Sequence, residues 1–74
     1  MPGFVYLAIT ARADLRKVAA GECTLEAITR GRCEARSSCE ARRLLQPRYP
    51  TCYVIWEQYA EEIITDYREN LSNA

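Results

Sequence analysis

Residues 15–45 read LRKVAAGECTLEAITRGRCEARSSCEARRLL, and this stretch decides how the rest of the chain is read. Leu15, Val18 and Ala19 share one face at helical spacing, with Asp14 placed to cap the start and Gly21 to end it. Thr24 is a second capping residue. It precedes a helix from Leu25 to Thr29 or Arg30 whose inner face holds Leu25 and Ile28. Gly31 is expected to supply the positive φ that a sharp turn needs. A third helix is expected from about Glu34 to Gln46, with Ala35, Cys39, Ala41 or Arg42, and Leu45 inward and Leu44 beside them. Pro47 and Pro50 bracket Arg48 and Tyr49 and stop that helix. The pattern is three short helices with a tight polar break between the second and third.

Working outward, Phe4 to Thr10 is a short apolar run with β-branched and aromatic members, a strand whose start is marked by Pro2 and Gly3. Cys52 to Trp56, CYVIW, is a second strand. Beyond it, Trp56, Tyr59, Ala60, Ile63, Ile64, Tyr67 and Leu71 recur at helical spacing and form a wide apolar stripe. The other face of that helix is acidic. Ser72, Asn73 and Ala74 are expected to fray. The expected fold is therefore one small α+β domain over residues 1–74. Residues 1–50 form a basic, helix-turn-helix-like three-helix core. Residues 51–74 add a strand and a long acidic amphipathic helix, and the two short strands can pair.

A chain of this length buries only about 60% of its unfolded surface, so a homodimer or a larger partner is an expected source of further burial. Net charge is zero, yet the halves differ. Residues 1–50 hold nine basic side chains against five acidic ones, and residues 51–74 hold Arg68 against Glu57, Glu61, Glu62, Asp66 and Glu69. Such asymmetry fits a basic binding region joined to an acidic segment with another task, or two solvated faces that neutralise each other. No apolar run approaches the roughly 20 residues that span a bilayer. The start MPGFVYLAIT lacks the basic region of a secretion signal, so a cytoplasmic protein is expected. Cys23, Cys33, Cys39 and Cys52 are accordingly expected to be free thiols, with Cys33 and Cys39 as small core residues and no metal bound. The chain contains no histidine, which removes a Cys–His nucleophile and a Ser–His–Asp triad.

The pieces LRKVAAG, TLEAIT, RGRC, EARSSCEARRLL and CYVIW together resemble winged helix-turn-helix repressors of the IclR or MarR kind. In those the third helix precedes a strand wing. The resemblance covers about half the chain, and it implies DNA binding. Arg36, Ser37, Ser38, Glu40 and Arg43 would lie on the exposed side of the third helix, and Arg16, Lys17, Arg30, Arg32 and Arg48 would touch phosphates. Independently of the resemblance, Arg30, Arg32, Arg36, Arg42 and Arg43 fall within fourteen residues. Arginine offers a rigid fork of donors suited to guanine edges, phosphates or carboxylates. These arginines are therefore the expected binding surface.

A second class is open. Small single-domain chains with a separate acidic helix are similar to phage-encoded proteins that bind a host protein, such as bacterial RNA polymerase or a nuclease complex, without touching DNA. Trp56, Tyr59 and Tyr67 would then be an interface hot spot, where large aromatics are enriched; otherwise the stripe is the domain's own core. An enzymatic layout is also recognisable: strand, strand, helix, strand, helix resembles GIY-YIG nucleases, with Tyr6, Arg30 and Glu61 on the tyrosine, arginine and glutamate. The signature tripeptides are absent. The sequence reading is thus a non-enzymatic regulator of transcription acting on DNA or on the transcription machinery. It has no catalytic residues, no cofactor, no membrane contact and no small-molecule substrate.

Overall fold

The computed structural model describes residues 3–72; Pro2, Asn73 and Ala74, named above, lie outside them. The elements in chain order are β1 (Phe4–Ile9), α1 (Asp14–Ala19), α2 (Leu25–Ile28), β2 (Thr29–Ala35), α3 (Ser38–Leu45), β3 (Tyr53–Trp56) and α4 (Glu57–Ser72). The three strands form one antiparallel sheet in the order β2-β1-β3. No helix among the described residues is long and apolar enough to cross a membrane.

The sheet organises everything else. Tyr6, Leu7, Ala8 and Ile9 are all buried, so β1 is covered along most of its length. A strand covered on both faces has no water for its backbone, so both its edges must be paired. β3 supplies one edge, with Leu7 opposite Ile55 and Ile9 opposite Tyr53. β2 supplies the other, from Phe4 opposite Ala35 to Ile9 opposite Thr29. The register slips between Ala8 and Ile9, which leaves Arg30 as the extra residue of a bulge on β2.

Alternation along β1 splits the core in two. Leu7 and Ile9 point to one face, where they meet Leu15, Val18 and Ala19 of α1, Ile28 of α2, Ile55, and Ala60, Ile63 and Ile64 of α4. Tyr6 and Ala8 point to the other face and meet Ala35, Ala41 and Leu45, with Val54 beside them. The domain is thus three layers deep, with α1, α2 and α4 on one face of the sheet and α3 on the other.

This arrangement corrects the expected helix-turn-helix core. The segment read as a polar turn is a seven-residue strand, and the sheet lies between the second and third helices. Gly31 does not serve a turn either, because Gly21 is the residue with positive φ among those described. Gly21 ends α1 as expected, with its N–H donating to the Val18 carbonyl and that of Glu22 to the Lys17 carbonyl. Asp14 is the first residue of α1 and not its cap; its carboxylate accepts from the Thr10 hydroxyl. Thr24 caps α2 as expected, its hydroxyl accepting from the Ala27 N–H at 3.1 Å.

The C-terminal stripe is core at its centre and open at its margins. Ala60, Ile63 and Ile64 are buried and Tyr67 packs against them. Tyr59 remains 44% exposed and Leu71 56%. Trp56 ends β3 and packs on the α3 face, its ring edge-on to Phe4 with centroids 5.6 Å apart.

Candidate nucleic-acid interface

α3 begins at Ser38, later than its apolar spacing suggests, because Ser37 stops it there. The Ser37 hydroxyl accepts from the Glu40 N–H, and the Glu40 carboxylate accepts from the Arg36 N–H, both at 3.2 Å. These two bonds satisfy orphan donors at the helix start. Ala41 and Leu45 then face the sheet, while Ser38, Cys39, Arg42, Arg43 and Leu44 face outward. Arg42 and Arg43 sit in the last turn, where a positive charge complements the helix dipole.

The chain after α3 folds back tightly. The N–H groups of Arg48 and Tyr49 both donate to the Leu45 carbonyl. The Gln46 side-chain amide donates to the carbonyls of Tyr49, Pro50 and Cys52, at 3.0 to 3.3 Å. The loop is therefore held as a unit, and exposed Arg48 stays near the end of α3. Residues 36–48 carry four arginines against Glu40. The ion pairs among the described residues are Lys17–Asp14 at 3.8 Å and Arg32–Glu57 at 3.3 Å, so the side chains of Arg36, Arg42, Arg43 and Arg48 have none.

The other expected contacts lie elsewhere. Arg30 and Arg32 belong to β2 and open onto the α4 face of the sheet. They line a shallow groove of about 450 Å³ with Leu7, Leu25, Glu26 and Glu57. Arg32 is paired with Glu57, and Arg30 donates to the Ala27 carbonyl at 3.2 Å. Arg16 and Lys17 sit on α1, on that same side. The Arg16 guanidinium stands 5.2 Å from the centre of the Tyr67 ring, and Lys17 pairs with Asp14. The expected surface is thus three groups, of which Ser37, Ser38, Arg42, Arg43 and Arg48 share the α3 face, with exposed Arg36 just before α3 at the end of β2.

Arg12 is a residue that sequence reasoning passed over. It donates to the Tyr53 hydroxyl at 3.1 Å, with its guanidinium 5.9 Å from that ring. Hydrogen bonds to Tyr53, and then to Tyr59, favour its charged form further. The partners are far apart in sequence, so no local signal could have joined them.

The remaining reactive groups are dispersed. Tyr6 faces α3, Arg30 opens on the opposite face, and Glu61 is exposed on α4. The three residues of the nuclease layout are therefore not gathered at one site. Cys23 packs on the α4 side, and Cys33 and Cys52 on the α3 side. Cys39 is exposed, which corrects its expected place in the core. Burial, and then the charge of Glu40, push the Cys33 thiol above its usual range. Among the described residues, no three potential metal ligands converge.

Comparison of the chain with protein-family models, curated proteins and solved structures finds no match. The arrangement of its own side chains is what bears on its function.

Proposed function

We propose that the chain is a non-enzymatic regulator of transcription that binds duplex DNA through α3. One observation carries the reading: Arg36, Arg42, Arg43 and Arg48 are exposed, close in sequence and free of ion pairs among the described residues. Unpaired arginines give up no existing partner when they take phosphates. An eight-residue helix standing alone on its face of the sheet also suits a major groove about 12 Å wide. This mode differs from that of a winged repressor, because α3 is supported by a sheet and not by a second helix.

The test is binding to duplex DNA across a salt series. Phosphate contacts release counterions, so affinity should fall as a power of salt concentration, with a slope of about 0.9 per phosphate engaged. Arg42→Ala/Arg43→Ala should weaken binding and flatten that slope. Binding that ignores both salt and the substitution rules out DNA as the ligand of α3.

A second reading has its own support. Glu61, Glu62, Asp66 and Glu69 are exposed on α4, on the opposite face of the sheet, and none is ion-paired among the described residues. Such a face suits a basic groove on a host protein, such as RNA polymerase or a nuclease complex. Retention of a polymerase subunit from bacterial lysate after nuclease treatment, lost on charge reversal at Glu62 and Asp66, would favour this reading over DNA.

A further inference from the structure

β2 is an edge strand with an open side. The order β2-β1-β3 places nothing beyond it, and among the described residues no backbone group of residues 31–35 bonds outside the sheet. An open row of N–H and C=O groups is a template for another strand. The side chains along it are not uniform. Arg32 and Glu34 stand opposite Leu7 and Val5 on the α4 face, while Cys33 stands opposite Tyr6 on the α3 face.

We propose that two copies of this chain pair antiparallel along β2, about a two-fold axis that passes through Cys33 normal to the sheet. The result is a continuous six-stranded sheet. The charges select this register. In an antiparallel pair, directly opposite residues share a face, and opposite charges there attract while like charges repel. An axis at Cys33 sets each Arg32 opposite the partner's Glu34. An axis at Arg32 stacks the two Arg32 side chains, an axis at Glu34 stacks the two Glu34 side chains, and an axis at Gly31 sets Arg32 opposite the bulge, where the ladder breaks. The Cys33 register also brings Arg30 toward the partner's Arg36, but Arg30 leaves the ladder at the bulge and Arg36 lies past the end of the strand.

Charged edge strands commonly discourage pairing with other chains. Here the same charges are self-complementary in one register, so they exclude strangers and admit a second copy. A two-fold contact of this kind closes on itself and ends at a dimer. An axis normal to the sheet leaves both α3 helices on one face and both α4 helices on the other. Should α3 bind DNA, the dimer offers two such helices together, but the pairing itself rests only on β2.

The experiment is sedimentation equilibrium of the full chain. The unaltered protein should be a reversible dimer. Arg32→Glu or Glu34→Arg should each raise the dimer Kd by about tenfold or more, since each change turns two attractive pairs repulsive. The combination Arg32→Glu/Glu34→Arg should restore it. Glu57→Gln, which removes only the internal partner of Arg32, should leave it unchanged. Thermal melts of each variant separate loss of pairing from loss of fold. A second measurement does not touch the charges: with Cys23, Cys39 and Cys52 changed to alanine, and at a pH where a monofunctional maleimide labels Cys33, a short bismaleimide should join Cys33 to the partner's Cys33. The proposal is overturned by a chain that stays monomeric to millimolar concentration, by a dimer indifferent to the single reversals, by a charge swap that fails to rescue, or by a folded dimer whose Cys33 takes the monofunctional reagent but does not cross-link.

Discussion

The ring of Tyr49 lies directly against the backbone of Gly31: a β carbon at position 31 would come within 2.3 Å of Tyr49 Cε2. Tyr49 belongs to the loop that Gln46 holds, and Gly31 to the middle of β2, so this contact ties the end of α3 to the edge of the sheet. Gly31→Ala must push the ring aside, and such overpacking typically costs about 1–3 kcal/mol. In a Tyr49→Ala background the same change should be nearly neutral, since φ at Gly31 is not positive. A double-mutant cycle by chemical denaturation measures the coupling; independent, additive effects would mean that the ring moves freely.

How much of this is legible in the sequence depends on which interactions are local. Ala60, Ile63 and Ile64 repeat at helical spacing, and they form the buried side of α4. Thr24 caps the helix directly after it. Gly31 is open to misreading because a glycine after a short helix usually signals a turn, whereas here the reason for it is a tyrosine far along the chain. β2 is illegible for a related cause. Arg30, Arg32 and Glu34 sit where an edge strand is uncovered, so its inward side is only Gly31, Cys33 and Ala35, too small to show a period of two. Once that strand is inserted, the arginines of β2 and those of α3 fall on opposite faces, and the single expected surface divides.

The two fully buried large side chains, Ile9 and Leu15, lie on the α4 face of the sheet. Leu15→Ala should cost about 2–5 kcal/mol, a large part of what a domain this small has. Ile63→Ala should behave similarly. Leu71→Ala, on an exposed margin of the same stripe, should stay within about 0.5 kcal/mol. Thermal unfolding checks the contrast; equal losses at Ile63 and Leu71 would show that the stripe is packed along its whole length.

Ser37 and Glu40 set where α3 begins. Ser37→Ala removes the hydroxyl that accepts from the Glu40 N–H and should cost about 1 kcal/mol. Ser37→Asp should retain the bond and lose little. Urea midpoints for the pair decide this, with no effect at Ser37→Ala showing that the cap does not hold the helix.

Cys33 and Cys39 should differ sharply as thiols. Cys39 is exposed, whereas burial and then the charge of Glu40 raise the Cys33 pKa. Alkylation should therefore label Cys39 first, and Cys33 only as pH climbs above the ordinary thiol range of about 8.5. The sign for stability follows. A thiol raised in the folded state ionises first in the unfolded chain, so stability falls as pH rises through the ordinary value toward the folded one. Glu40→Gln should speed Cys33 labelling at fixed pH. Equal rates for the two thiols in the native protein would contradict the geometry.

The charged side chains on the two faces of the sheet should separate cleanly in DNA binding. Arg42→Ala/Arg43→Ala removes two unpaired cations from α3 and should reduce the salt slope by about two, roughly one for each phosphate left without its arginine. Arg16→Ala/Lys17→Ala removes the same formal charge from α1, where Arg16 covers Tyr67 and Lys17 pairs with Asp14. A non-specific field effect would treat the two pairs alike, because it depends on net charge. A docked α3 would not: the α1 pair should leave the slope unchanged and shift affinity only slightly. Fluorescence anisotropy on one duplex, with all three proteins across the same salt series, makes the comparison. Equal losses from both pairs would mean that the arginines of α3 act only as bulk charge.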